Sequence, residues 1–167
     1  HYHPILGNMW GEGRRPLPFV PSPKDVVEKM LSIADPSPEE LLIDLGSGDG
    51  RVILSATKDY NCWSIGVEKN PRLVELTRKN ILSLGLGKAK VVRGDLYSYD
   101  FSKADIITLY LLPEVLKILS PKFSMMRKGA RIISHDYMIP GREPSEIYEV
   151  KSIETGRIHK IYLYLVK

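Results

Sequence analysis

Carboxylates and glycines that could do chemistry lie where an apolar run ends. The stretch LLIDLGSGDGRV at 41–52 places three glycines within the five positions 46–50. Glycine lets a backbone approach a ligand closely, and the first N–H groups of a following helix are free to bind one. Asp44 lies inside the apolar run and Asp49 lies in the loop. A tight structural turn and a ligand cradle are both open on these residues alone.

The spacing and charge of this loop separate two classes of cofactor. The dinucleotide fingerprint G-x-G-x-x-G needs a third glycine where this chain has Arg51, so that match fails. The spacing is instead Gly46-x-Gly48-x-Gly50. The two aspartates would repel a diphosphate, whereas they would attract a cationic amino-acid headgroup. S-adenosylmethionine (SAM) carries an ammonium, a sulfonium and no phosphate, so the loop predicts a SAM site.

Two further acids follow the next predicted strands. Glu68 ends the second strand, where a carboxylate can bind both ribose hydroxyls. Asp95, in RGDLY after the third strand, is placed to accept a hydrogen bond from an adenine amino group. Each acid alone is best explained as a helix cap or a solvated loop charge. Together, at successive strand ends along one edge of a sheet, they favour a SAM cradle over a tight turn.

A regular alternation of strand and helix patterns must position these residues. Amphipathic helical patterns separate apolar runs that predict strands at 41–45, 63–67, 89–93, 104–112 and 130–134. SEIYEVKSI and HKIYLYLVK alternate and predict a closing hairpin. Parallel strands need helical crossovers, so we expect an α/β, doubly wound sheet. With the closing hairpin, this layout resembles the Rossmann-like SAM-methyltransferase fold. It has a seven-stranded, mostly parallel sheet, a C-terminal antiparallel β-hairpin and helices on both faces.

Local signals predict several helix boundaries. Ser22 is a suitable N-cap for the first helix, and Pro23 suits its first position. A later helix opens at Pro113; we expect Pro121 to break or kink it and Gly129 to end it.

Five segments resemble the seven-strand SAM-dependent protein-lysine methyltransferases, in particular the small archaeal lysine methyltransferases and their mitochondrial relatives. They are PFVPSPKDVVEKML at 18–31, DLGSGDGRV at 44–52, GVEKNPRLVE at 66–75, TLYLLPEVL at 108–116 and ISHDYMIPG at 133–141. The resemblance implies transfer of methyl groups from SAM to lysine side-chain amines of proteins, with broad substrate choice.

The resemblance and the charge argument together give a predicted cofactor-binding set. In the loops at the sheet edge it comprises Asp44, Gly46, Ser47, Gly48, Asp49, Glu68, Lys69, Asp95 and Leu96. By position in the family, Phe19 and Val20 would close over the cofactor, and Tyr110 with Leu111 would line the methyl-transfer channel. No metal ion is expected.

Methyl transfer to an amine is an in-line displacement, so the enzyme mainly positions a neutral amine against the sulfonium methyl. The candidates for orienting the amine follow predicted strands four and five: Tyr110, Glu114, His135, Asp136 and Tyr137. Structural roles stay open for them, as a core aromatic, a charge at a helix N-terminus or a buried pair. No strong dedicated base is required, because the proton can leave to water.

Composition limits the remaining possibilities. A length of 167 residues with 43% hydrophobic content predicts one domain at 22–167, after an irregular arm at 1–21. The single cysteine, Cys62, fits a reducing cytoplasm, and the absence of glutamine indicates a thermophilic source. We expect no membrane partner and a monomer that acts on protein substrates with accessible lysines.

Other functions stay open on the sequence. The net charge of +4 permits weak nucleic-acid association. Adenine N6 methyltransferases carry an Asn/Asp-Pro-Pro-aromatic segment after strand four, whereas this chain has LYLLPE there, which disfavours base flipping by that route. Methylation of RNA by another arrangement, methylation of a small molecule, and a catalytically silent SAM-binding module are the alternatives.

Overall fold

The computed structural model describes residues 20–167; Phe19 and most of the predicted arm lie outside this range. Seven strands and four helices follow one another in the order α1 Lys24–Ala34, β1 Leu41–Leu45, α2 Arg51–Tyr60, β2 Trp63–Glu68, α3 Pro71–Leu84, β3 Ala89–Arg93, β4 Ile106–Leu109, α4 Pro113–Phe123, β5 Arg131–His135, β6 Glu146–Lys151 and β7 Ile158–Leu165. No helix among the described residues is long and apolar enough to cross a membrane.

The strands form one sheet in the order β3-β2-β1-β4-β5-β7-β6. Strands β1 to β5 are parallel, and β7 pairs antiparallel with both β5 and β6. The predicted topology with its terminal hairpin is confirmed. The chain reverses direction across the sheet next to β1 and β4, so the carboxyl ends of these strands flank the switch point where ligands bind in such folds.

The core lies on both faces of the sheet. Neighbouring residues of one strand belong to different clusters, as with Ile106 and Ile107 of β4, because successive side chains point to opposite faces. Leu116 and Phe123 bring α4 onto one face, whereas Met30 brings α1 onto the other. Helices on both faces are therefore confirmed.

Two predicted helix boundaries are wrong. α1 begins at Lys24 with Pro23 at the N-cap, and the hydroxyl of Ser22 instead lies 2.8 Å from the Nδ1 of His135. α4 continues past Pro121 and ends at Phe123, well before Gly129. The hydroxyl that Ser22 would use as a cap is taken by a tertiary contact with His135, and α4 ends at Ser124 in a right-handed conformation without a glycine.

Two polar contacts join distant parts of the fold near β5 and β7. Arg131 of β5 forms hydrogen bonds from its guanidinium to both carboxylate oxygens of Glu40, at 2.9 and 2.7 Å, and to the carbonyl of Ala34. In α1, Asp25 accepts from the hydroxyl of Ser152 and the N–H of Ile153, in the turn between β6 and β7. The terminal hairpin is thereby attached to the start of the first helix.

Candidate functional site

The glycine loop between β1 and α2 has a backbone that only glycine adopts readily. Gly46, Gly48 and Gly50 all have positive φ, at 76°, 58° and 83°. A Cβ on Gly50 would also lie 2.4 Å from the Cγ2 of Thr77 in α3. The loop is therefore fixed both by conformation and by close packing. The N–H groups of Gly46 and Ser47 donate to the carbonyl of Val67, which keeps the loop at the end of β2.

A cavity of about 560 Å³ opens beside this loop, within the range of small-molecule sites. Ten predicted site residues line it, namely Val20, Asp44, Gly46, Ser47, Gly48, Asp49, Glu68, Lys69, Tyr110 and Leu111. Asp95, Leu96, Glu114, His135 and Asp136 are not on its wall. The carboxyl ends of β1, β2 and β4 thus converge on one concave site, as the strand-end argument predicts.

Asp44 is a carboxyl group buried at the end of β1. Its Oδ1 accepts a hydrogen bond of 2.8 Å from the hydroxyl of Thr108 on β4. Burial raises the pKa of Asp44 to about 8; the Thr108 hydrogen bond opposes this rise, and the charges of Glu68 and Asp49 add to it. A cation placed beside this carboxyl would favour its ionised form. The site therefore fits an ammonium or sulfonium ligand better than an anion.

The carboxylate of Asp49 is already paired with a cation of the protein, Arg51. Arg51 donates to both of its carboxylate oxygens, from Nε at 3.1 Å and from NH2 at 2.7 Å. The NH1 of Arg51 donates to the carbonyl of Ser22, at 2.9 Å. This guanidinium thus ties the glycine loop to residues 20–22, which line the cavity. Sequence reasoning missed Arg51, noting it only as a substitute for glycine.

Glu68 is held at the end of β2 by two backbone groups. Its Oε1 accepts from the N–H of Gly48 at 2.7 Å, and its Oε2 accepts from the N–H of Asn70 at 2.9 Å. Each carboxylate oxygen has lone-pair capacity beyond one hydrogen bond, so Glu68 can still accept from a diol in the cavity. Its position suits the predicted ribose contact.

The side chains of Ser47 and Asp95 have surroundings that the sequence does not predict. The Ser47 side chain faces β2: a Cβ on Gly66 would lie 2.5 Å from Ser47 Oγ, which has no hydrogen-bond partner among the described residues. The N–H of Ser47 donates to the carbonyl of Val67 and its carbonyl accepts from the N–H of Gly50, so its backbone groups hold the loop. Asp95 is exposed, and its Oδ1 accepts from the N–H of Tyr97 at 2.8 Å. Leu96 lies near the loop, its Cδ2 3.9 Å from the position of a Cβ on Gly46.

Among the catalytic candidates, Tyr110 lines the cavity and stacks on His135, with ring centroids 3.9 Å apart. Burial raises the pKa of Tyr110, and the charge of Asp136 adds to that rise. Asp136 follows β5 with a positive φ of 64° and pairs with Arg157 at 2.7 Å. Glu114 is exposed in the first turn of α4, where its charge suits the helix N-terminus.

His135, Asp136 and His159 bring three potential metal-ligating atoms within 4.8 Å of one another. The inner nitrogens of the two histidines are 2.8 Å apart and therefore share a hydrogen bond. The carboxylate of Asp136 is already paired with Arg157, a cation that would repel a metal ion. This cluster is a hydrogen-bonded histidine pair in this structure.

Comparison with known proteins agrees with this geometry. Residues 44–146 match the family described as the ANTKMT methyltransferase domain. The chain is 38% identical over 154 residues to a protein-lysine N-methyltransferase of Saccharolobus islandicus (strain REY15A), covering 90% of this chain and 94% of that protein. It is 32% identical over 133 residues to the mouse adenine nucleotide translocase lysine N-methyltransferase, of which it spans only 58%.

A solved structure is also similar. A crystal structure of an RNA methyltransferase from Salinibacter ruber, in complex with S-adenosyl-L-homocysteine, is 35% identical with a TM-score of 0.80. The alignment covers 88% of this chain and 94% of that one. Fold, cavity and comparisons define a SAM-dependent methyltransferase. Within that class, the chain belongs to the ANTKMT methyltransferase domain family.

Proposed function

We propose that this enzyme transfers methyl groups from SAM to lysine side-chain amines of proteins. The observation that carries the proposal is the match to the Saccharolobus islandicus protein-lysine N-methyltransferase along nearly the full length of both chains. The alignment covers 94% of that relative, which therefore has no large additional domain. Its activity is thus a guide to the activity of the domain described here. Broad substrate choice, a monomeric state and a cytoplasmic location belong to the same proposal.

SAM fits the residues that line the cavity. Asp44 would face the cationic amino-acid end, and the backbone of the glycine loop would lie against it. Glu68 would accept from the ribose hydroxyls, and Asp95 with Leu96 would lie towards the adenine. When bound, SAM supplies an electrophilic methyl group on its sulfonium. Val20 would lie against the cofactor, with Lys69 near its ribose end; Phe19, which the sequence also predicts there, lies outside the described residues.

The protein must offer the methyl group a neutral amine. The reference pKa of lysine is about 10.4, so a neutral amine at pH 7 costs about 4–5 kcal/mol. An apolar wall lowers an amine pKa, because burial disfavours the charged form. Leu109 and Leu111 supply such a wall beside Tyr110. Tyr110 would orient the amine, either with its ring or with its hydroxyl.

RNA methylation is the second candidate, because the Salinibacter ruber structure is described as an RNA methyltransferase. Two features favour protein over RNA here. The curated relatives are named as lysine methyltransferases. The LYLLPE segment after β4 also lacks the Asn/Asp-Pro-Pro-aromatic pattern of adenine N6 enzymes. A small-molecule substrate and a silent SAM-binding module have no such specific support.

The first experiment is incubation with methyl-labelled SAM and a heat-treated cell extract, followed by nuclease or protease digestion. We expect label that resists nuclease and is recovered as methyllysine after hydrolysis. Label lost to nuclease would move the assignment to RNA. Binding of SAM with no transfer to any fraction would favour the silent module. Asp44→Ala, which lacks the buried carboxyl, is the matched control and should transfer no label.

A further inference from the structure

Four hydrogen-bonded side chains form a path from the cavity to the protein surface. Ser22 lines the cavity, and its Oγ lies 2.8 Å from His135 Nδ1. His135 Nε2 lies 2.8 Å from His159 Nδ1, and His159 Nε2 lies 2.7 Å from Thr155 Oγ1. Both imidazoles are buried, whereas Thr155 is exposed. Hydroxyls and imidazoles both give and accept protons, so the path is unbroken for a proton.

The path keeps all its hydrogen bonds in two protonation states. When both imidazoles are neutral, one N–H lies between the rings, one outer nitrogen donates to a hydroxyl and the other accepts from one. With one added proton, both outer nitrogens donate to hydroxyl oxygens. A proton can therefore enter at Ser22 and another can leave at Thr155 without any buried group losing its partner.

Charged groups around the rings keep the added proton transient. Burial, together with the neighbouring histidine and Arg157, lowers the pKa of His135 to about 4 against the opposing charge of Asp136. Burial and Arg157 also lower the pKa of His159, whereas the carboxylates of Asp136 and Asp25 oppose the change. Asp136 Oδ2 lies 3.5 and 3.7 Å from the two inner nitrogens, close enough to stabilise a passing charge.

We propose that Ser22, His135, His159 and Thr155 form the exit path for the proton that the substrate lysine loses before methylation. The proposal rests on lysine methylation as the proposed function. One ammonium proton passes to Ser22 Oγ, directly or through one water, while the proton of Ser22 passes to His135 Nδ1. The Nε2 proton of His135 passes to His159 Nδ1, that of His159 Nε2 passes to Thr155, and the hydroxyl proton of Thr155 passes to solvent. The freed amine lone pair then forms the N–C bond as the C–S bond breaks, and that electron pair stays on sulfur.

The path is needed while the substrate fills the cavity, and it resets afterwards. The ring of Tyr110 stacks on one face of His135 on the cavity side. A proton from the cavity therefore reaches the ring nitrogens of His135 through the hydroxyl of Ser22. Once the product has left, both ends of the path face solvent and the two ring tautomers re-equilibrate. Because the pKa of His135 lies well below that of lysine, the added proton does not stay on the ring and passes on towards Thr155.

The test compares Thr155→Val, which keeps the shape but removes the outlet hydroxyl, with Thr155→Ser, which keeps the hydroxyl. The preformed complex of enzyme and methyl-labelled SAM is mixed with excess heat-treated protein extract, and single-turnover rates are measured from pH 7 to 10. We expect Thr155→Val to slow transfer about tenfold or more at pH 7. The defect should shrink towards pH 10, where roughly a quarter of lysine is neutral in solution, against less than about a thousandth at pH 7. Thr155→Ser should recover most of the rate.

Two results would overturn the path: a Thr155→Val rate equal to that of the wild type at pH 7, or a defect of equal size at every pH, which a structural role would produce. SAM affinity and thermal unfolding are measured alongside. If Thr155→Val fails to fold, Ser22→Ala at the inlet is judged by the same pH criterion. Failure of the wild type to label any lysine would instead contradict the proposed function itself.

Discussion

Asp44 is a buried carboxyl group whose ionised form a bound cation can stabilise. With a pKa of about 8 in the free site, this carboxyl is mostly protonated at pH 7. Binding of the SAM ammonium requires the ionised form, so we expect SAM affinity to rise with pH until about 8 and to fall up to about tenfold per pH unit below it. Calorimetric titration in buffers of different ionisation enthalpy should show one proton released on binding at pH 7. Affinity independent of pH would contradict this assignment.

The variant Asp44→Asn tests the same residue through the free energy of unfolding of the protein. A carboxyl whose pKa is raised in the folded state favours folding at low pH, and this contribution is lost as the pH rises through 8. The neutral amide avoids that loss, so the variant should gain about 1 kcal/mol or more in free energy of unfolding at pH 8 and show no gain at pH 4. SAM affinity should fall about 100-fold, since one partner of a buried charge pair is removed. Urea denaturation at the two pH values measures the first effect.

The strand-end acids were predictable from sequence, whereas their partners were not. Asp44 and Glu68 end apolar runs, and parallel topology alone brings such ends together. Thr108 lies 64 residues from Asp44 in the chain, and no local pattern marks that contact. Gly66 reads as an ordinary strand residue, yet the Ser47 side chain occupies the space that a Cβ there would need.

At the level of elements, Arg51 in the first turn of α2 connects the glycine loop to the segment over the cavity. Arg51→Met removes both the Asp49 pair and the hydrogen bond to the Ser22 carbonyl. We expect the dissociation constant for SAM to rise about tenfold, because residues 20–22 lose their attachment. The free energy of unfolding should change by less than about 1 kcal/mol. Lys58→Met, an exposed change in the last turn of the same helix, is the matched control.

Tighter binding by Arg51→Met would show that freeing the Asp49 carboxylate for the ligand outweighs the lost attachment. Equilibrium titration with SAM distinguishes the two outcomes directly, and the Lys58→Met control should bind as the wild type does.

The sequence pattern predicts the type of each helix and strand, but it predicts only some of their ends. Asn70 caps α3, its Oδ1 accepting from the N–H of Arg72, and Gly85 ends that helix, as its residue types predict. The Ser22 prediction fails because a buried histidine 113 residues away competes for its hydroxyl. The hydroxyl satisfies that buried ring nitrogen, which would otherwise lack a partner.

Across the whole molecule, Glu40 and Arg131 join the segment before β1 to β5. The hydrogen bonds and charge of Arg131 lower the pKa of Glu40 from 4.5 to about 2, against the opposing effect of burial. A lowered carboxyl pKa adds stability above pH 4.5, and that stability is lost as the pH falls towards 2. Glu40→Gln should therefore lower the free energy of unfolding by about 1–3 kcal/mol at pH 7 and by little at pH 2.

Chemical denaturation at both pH values measures this difference, and Glu39→Gln, a neighbouring exposed site, is the control. A Glu40→Gln defect that persists unchanged at pH 2 would mean that packing, and not the ion pair, supports this junction.

The attachment of the last hairpin to the first helix has a consequence for biosynthesis. During translation the glycine loop and its acids emerge early, but Asp25 and Ser22 must wait for Ser152 and His135, which are made more than a hundred residues later. A nascent chain that has displayed all the sequence motifs therefore still lacks the attachment of its first helix. The family signature at 44–146 ends before β7, so a ribosome-bound or truncated chain can carry the whole signature and still lack both the strand that pairs with β5 and the turn that holds Asp25.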